Sequence, residues 1–158
     1  MKILMVCLGN ICRSPMAEGI LRKKVNSLKL DTTIDSAGTG KWHVGEHPDK
    51  RAVQTALKFG VDISKLKARQ FCESDFDDFD RIYVMDKSNY YDVIDLARTQ
   101  EDKDKVILLL NADIPDSNRE VPDPYFGNGD GFMQVFTMMD KVCDAIAEQI
   151  KNEIGVPK

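Results

Sequence analysis

Lys2 to Val6 is a short apolar run that stops at the polar stretch Cys7-Leu8-Gly9-Asn10, a pattern that predicts a strand covered on both faces. Ser14-Pro15 reads as an N-cap followed by proline at the first helical position. Met16, Ile20, Leu21, Val25 and Leu28 then follow at close to helical spacing, which predicts a helix to about Leu28. Thr32 to Ser36 reads as a second strand, and 37–48 as a glycine-rich loop holding the only tryptophan, Trp42. Asp49 to Phe59 suits a helix ended by Gly60. Asp80 to Met85 and Lys105 to Leu110 are two more strand-like runs, separated by a helical stretch from about Ser88 to Arg98. Residues 111–130 read as a long loop carrying Pro115, Pro122, Pro124 and Gly127. From Gly131 to about Ile154 the pattern is helical again, with Phe132, Val135, Phe136, Met139, Val142, Cys143, Ile146 and Ile150 on one side.

Strands alternating with helices imply parallel crossovers, and hence an α/β three-layer sandwich with a central four-stranded parallel sheet flanked by helices. No repeat, low-complexity tract or linker interrupts residues 1–158, so a single domain is expected. A chain of about 150 residues buries roughly 68–70% of its unfolded surface and needs no staples. With 42% hydrophobic and 30% charged residues the profile is that of a water-soluble fold. No apolar run nears the ~20 residues of a spanning helix, and the N-terminus lacks the apolar core of a signal peptide. Cytoplasmic localisation and no membrane partner are expected. A formal charge of −4 and a pI of about 5.2 argue against a nucleic-acid partner. They leave an anionic ligand open, since a few local donors can hold a phosphate.

The four cysteines, Cys7, Cys12, Cys72 and Cys143, include no pair of C-x2-C half-sites, so no metal is expected. His43 and His47 flank Gly45 and precede Pro48, which places them in a loop rather than on one helix face.

The chemistry concentrates directly after the first strand, where ligands collect in parallel sheets. In Cys7-Leu8-Gly9-Asn10-Ile11-Cys12-Arg13-Ser14 the backbone N–H groups of Leu8, Gly9, Asn10, Ile11, Cys12, Arg13 and Ser14 can curl around one anion before a helix N-terminus. Gly9 permits tight curvature, and Arg13 adds a planar fork suited to two phosphate oxygens. The same donors favour a thiolate at Cys7, which is the nucleophilic form. Ser14 is placed to cap the helix and to hydrogen-bond the sulfur. A bare C-x5-R match also occurs by chance, as a helix cap beside buried cysteines. Its position between a strand and Ser-Pro favours the phosphate loop. Asp123, stiffened between Pro122 and Pro124 in a long loop, is either an incidental turn aspartate or a proton donor. Trp42, Tyr125 and Phe126 lie in loops and are candidate walls for a flat phenyl ring.

Taken together, Cys7 to Pro15, Asp35-Ser36-Ala37-Gly38-Thr39, Trp42-His43-Val44-Gly45, Pro48-Asp49, Arg51-Ala52, Ala68-Arg69-Gln70, Met85-Asp86 with Ser88-Asn89, and Asp123-Pro124-Tyr125 resemble the low-molecular-weight protein tyrosine phosphatases. The resemblance spans nearly the whole chain in the family's order. It implies a phosphocysteine mechanism with Cys7 as nucleophile, Arg13 binding phosphate and the transition state, and Asp123 as general acid and base, with no cofactor. It puts Ile11, Trp42, Tyr125 and Phe126 around the substrate. Asn10, Ser14, Ser36 and Asp86 would support the loop backbone, and Cys12 would trap oxidised Cys7 as a disulfide. Substrates would be phosphotyrosine proteins and small aryl phosphates, as for an acid phosphatase, with inorganic phosphate as product. A monomer is expected, open to weak self-association. Related phosphoarginine phosphatases carry threonine where this chain has Ile11, which favours an aryl ester.

Two departures from the family pattern occur. Phe126 replaces a second tyrosine, and Leu66 replaces a histidine whose absence changes the support of Asn10. Two rival readings are weaker. An arsenate reductase needs a closely spaced redox pair, and Cys72 and Cys143 are far apart; a catalytically dead phosphate-binding adaptor has no need of Cys7, Arg13 and Asp123 together.

Overall fold

Along β1 (Lys2–Cys7) the side chains alternate between two apolar cores: Ile3, Met5 and Cys7 enter one, Leu4 and Val6 the other. Both faces of the strand are therefore covered, which is why its sequence is apolar without alternation. In this computed structural model, which describes residues 1–127 and 130–155, β1 pairs in parallel with β2 (Thr33–Gly38) on one side and β3 (Arg81–Val84) on the other. β4 (Val106–Leu108) adds in parallel to β3, giving the order β2-β1-β3-β4. The expected four-stranded parallel sheet flanked by helices is the architecture observed.

α1 (Arg13–Ser27) and α6 (Asp130–Ile154) pack against each other on the Ile3–Met5 face, through Met16, Ile20 and Leu21 of α1 and Phe136, Met139 and Cys143 of α6. α2 (Lys50–Lys58) adds Ala52 and Ala56 to that core. The opposite core takes Phe71, Phe76 and Phe79, the last two in and beside the short α3 (Asp75–Asp78), and Val93 of α4 (Lys87–Ile94). α5 (Gln100–Asp104) leads into β4.

Several boundaries differ from the sequence reading, each for a local reason. The run Lys105 to Leu110 is extended only over β4; Leu109 and Leu110 are buried in a 3-10 turn, Leu109–Ala112. An apolar run reports burial, and burial does not require extension. α3 and α5 have no apolar periodicity because polar groups hold them. Thr99 accepts from the Asp102 amide at 3.1 Å, and Asp75 accepts from the Cys72 amide at 2.9 Å. The helical stretch read from Ser88 to Arg98 ends at Ile94. The long loop read over 111–130 holds a second 3-10 turn, Pro124–Phe126, and its residues 128 and 129 lie outside the described residues.

Strand order matters for the site. The chain runs from β1 outward to β2, then crosses back past β1 to β3. The order reverses at the carboxyl ends of β1 and β3, where crevices open in parallel sheets. Cys7 ends β1 there, and Asp86 follows β3.

Candidate active site

The turn from Cys7 to Arg13 is fixed by one residue in the left-handed region, Asn10, at φ 56°. Asparagine tolerates that conformation better than most side chains. Its backbone N–H donates to Cys7 Sγ at 3.3 Å. Its Nδ2 donates to Ser14 Oγ at 2.7 Å and Ser36 Oγ at 2.9 Å, and its Oδ1 accepts from the Arg69 amide at 3.1 Å. Three separate segments thus hold this one turn. Ser36 Oγ in turn donates to Glu18 Oε1 at 2.6 Å. Glu18 is buried; burial raises its carboxyl above the usual range, against the opposing pull of Ser36 and Arg22. Amides of Thr39, Gly40 and Asp49 take the carbonyls of Cys7, Leu8 and Ile11, at 2.9, 2.9 and 2.8 Å. Gly38 lets β2 end against the loop, since a Cβ there would sit 2.8 Å from the Leu8 carbonyl oxygen.

Ser14 is not the helix cap. α1 opens at Arg13 with Cys12 in the capping position, and no side chain caps it. Pro15 is accommodated because the first four N–H groups of a helix have no intrahelical acceptor. The Ser14 hydroxyl is drawn instead to Cys7 Sγ, 3.0 Å away, while accepting from Asn10.

Arg13 is 2% exposed. Its Nη1 donates to Asp86 Oδ2 at 2.7 Å and to the Val121 carbonyl at 2.9 Å, and its Nη2 lies 3.7 Å from Asp123 Oδ2. Burial works against the guanidinium charge, but Cys7, Asp86 and Asp123 outweigh it and hold Arg13 firmly protonated. The sequence reading put Asp86 under the loop backbone, whereas its bond is to the Arg13 side chain. It orients the Arg13 side chain and caps α4 by accepting from the Asn89 amide at 2.8 Å. The reason is position: Asp86 lies at the end of β3, beside the arginine rather than under the loop.

A cleft of about 190 Å³ opens above these groups, with Cys7, Ile11, Cys12 and Arg13 at its base and Asp123 on its side. Trp42, Tyr125 and Phe126 line its mouth. Trp42 is 71% and Phe126 82% exposed, so neither is a core residue. Asp123 is steadied by the Tyr125 amide, which donates to its Oδ1 at 3.0 Å. Its other oxygen faces Arg13. Cys12 is buried, and burial first, then Asp49, Cys7 and Asp123, push its thiol well above the usual range. The four cysteines are free thiols. Among the described residues no three His, Cys, Asp or Glu side chains converge as metal ligands.

Some residues of the site were not legible. His43 lines the cleft, with Nδ1 2.5 Å from Glu46 Oε2, yet its sequence signal is only that of a loop histidine. Glu18 looks like any polar helix position. The Arg69 amide supports Asn10 Oδ1 without a histidine at Leu66, whose carbonyl instead accepts from His47 Nδ1 at 2.9 Å.

Known proteins resemble this chain in both sequence and fold. The family model for low molecular weight phosphotyrosine protein phosphatase matches residues 2–156. The low molecular weight phosphotyrosine protein phosphatase of Schizosaccharomyces pombe is 45% identical over 134 residues, 83% of this chain and 85% of that protein. A protein tyrosine phosphatase of Entamoeba histolytica superposes with a TM-score of 0.89 at 35% identity, covering 96% of this chain and 97% of the other. An arginine phosphatase of Bacillus subtilis shares the fold, with a TM-score of 0.88 over 97% of both chains, at only 24% identity. With the family model spanning the chain and a relative at this identity, the chain belongs to the low molecular weight phosphotyrosine protein phosphatase family.

Proposed function

We propose that the chain hydrolyses phosphotyrosine and small aryl phosphates in two displacements at phosphorus, through a phosphocysteine at Cys7. The observation that carries this reading is the convergence of Cys7, Arg13 and Asp123 on one cleft, with Asp123 Oδ2 3.7 Å from Arg13 Nη2. In the first step the Cys7 sulfur bonds to phosphorus and the bond to the aryl oxygen breaks, while Asp123 gives that oxygen its proton. In the second, water attacks phosphorus, Asp123 takes the water's proton, and the sulfur leaves. The Asn10 N–H on Cys7 Sγ, with the Ser14 hydroxyl 3.0 Å from the same atom, suits a sulfur that departs as an anion. Arg13, preset by Asp86, would bind the equatorial oxygens together with the loop amides of Leu8 to Ser14. Inorganic phosphate is the product. The reading routes no step through a cofactor or metal, and one domain over 1–158 carries it in a cytoplasmic monomer, open to weak self-association.

The apolar Ile11 and the aromatic mouth suit a phenyl ring better than a guanidinium, which would need polar partners. Turnover of phosphoarginine comparable with that of phosphotyrosine would overturn the substrate assignment. The direct test is hydrolysis of para-nitrophenyl phosphate and a phosphotyrosine peptide, wild type beside Cys7→Ser, with EDTA present. Metal-independent turnover abolished by the substitution is expected. No turnover by reduced wild type would favour an adaptor or a reductase.

Cys12 offers a protective route under peroxide. Peroxide oxidises the Cys7 thiolate to a sulfenic acid; the Cys12 thiol then displaces water to form the disulfide, and an added dithiol reduces it back. Cys12→Ser should lose most of the activity recovered by thiol treatment; undiminished recovery would end this reading.

A further inference from the structure

Arg51 lies outside the phosphate loop, partly exposed at the start of α2, yet it joins three segments of the site. Asp49 locks its guanidinium in one orientation: Oδ1 accepts from Arg51 Nε at 3.0 Å and Oδ2 accepts from Nη2 at 2.9 Å. The Asp49 amide donates to the Ile11 carbonyl at 2.8 Å, so this pair is fastened to the phosphate loop. The remaining nitrogen, Nη1, donates to the Tyr125 carbonyl at 3.3 Å. The guanidinium carbon lies 5.3 Å from the centre of the Tyr125 ring and 4.7 Å from that of Phe132, between the Pro124–Phe126 turn and the start of α6. Tyr125 is the residue whose amide donates to Asp123 Oδ1. Upstream, the same segment is held at Val121, whose amide donates to the Met85 carbonyl at 2.8 Å.

We propose that Arg51 is a positioning residue for proton transfer, clamping the Tyr125 turn so that Asp123 is held at a fixed distance from the phosphate loop. This rests on the reading of Asp123 as the general acid. Arginine suits the task because its planar fork satisfies Asp49 with two nitrogens while the third reaches the carbonyl and its face stacks on rings. A lysine could supply charge but not this geometry. Arg51 is paired with Asp49, and Arg51→Lys, which keeps the charge without the planar fork, separates placement from field.

The test compares kcat/KM across aryl phosphates whose phenols range from a good leaving group, para-nitrophenol, to a poor one, phenol. This parameter reports the step in which the aryl oxygen departs, and a poor leaving group needs the acid most. Asp123→Ala, Arg51→Ala and Arg51→Lys are run beside wild type, with inorganic phosphate as a competitive inhibitor. Expected for Arg51→Ala is a loss about tenfold greater on phenyl phosphate than on para-nitrophenyl phosphate, part of the 10²–10⁴-fold that a placed acid supplies. Its inhibition constant for phosphate should stay within about twofold, because the loop is intact. Arg51→Lys should fall between Arg51→Ala and wild type. An equal loss on every leaving group, or none, would make Arg51 a surface ion pair and overturn the inference while leaving Asp123 as the acid. If Asp123→Ala itself shows no added dependence on the leaving group, the acid assignment fails and the role of Arg51 fails with it.

Discussion

At the scale of single residues the site depends on side chains that support rather than react. Asn10 holds a left-handed turn and bonds Ser14, Ser36 and the Arg69 amide. Asn10→Ala removes those bonds from buried partners, at a cost expected near 1–3 kcal/mol in urea unfolding. It should also lower kcat/KM by more than about tenfold, since the loop amides lose their fixed direction. Asn10→Gly relieves the backbone strain but restores none of the bonds, so it should recover stability more than activity. The thiols separate by burial. In Cys7→Ser, native protein should react with iodoacetamide at Cys72, which is exposed, while buried Cys12 and Cys143 react only on unfolding; mass spectrometry of the alkylated peptides checks this. Cys7, Gly9 and Arg13 were legible because a strand, a loop and a helix start follow each other without a gap. Ser14 was legible as a residue near the sulfur but not as a non-cap, because Ser-Pro signals a helix start without saying which turn position each residue occupies.

Elements were legible where apolar residues recur at a fixed spacing. α1, α2 and α6 announce themselves through residues such as Met16, Ala56 and Met139 that share one core. α3 and α5 are held by carboxylates and a threonine, and no hydrophobic period reveals them. Packing at the element scale also leaves little slack. Gly19 in α1 faces α2's trailing loop so closely that a Cβ would stand 2.6 Å from Ile63 Cγ2 and 2.7 Å from Val61 Cγ1. Gly19→Ala gains about 1 kcal/mol of helix propensity. Overpacking two branched side chains costs about 1–3 kcal/mol, so a net loss is expected in the urea midpoint without a change of slope.

For the whole molecule, stability should follow pH and ligand in defined directions. Burial raises the Glu18 carboxyl above its value in the unfolded chain. The folded state therefore binds this proton more readily, and ionising Glu18 subtracts stability as pH rises from the ordinary carboxylate value through the raised one. In thermal unfolding across that window the Tm of Glu18→Gln relative to wild type should therefore rise with pH. Inorganic phosphate, which binds only the folded cleft in this reading, should add about 2.7 kcal/mol at about a hundred times its Kd. Arg13→Ala should abolish that gain, measured as the shift in Tm. Chain order alone determined the α/β class with its parallel strands and the strand–loop–helix run that carries Cys7 and Arg13, because periodicity and turn chemistry are local properties. Tertiary structure alone decided that Asp86 grips the Arg13 side chain, that His43 lines the cleft, that Arg51 reaches Tyr125, and that Glu18 lies beneath Ser36. Those meetings come from the reversal of strand order at β1 and from loops that return to it, and a one-dimensional pattern carries no record of which distant segments will be neighbours.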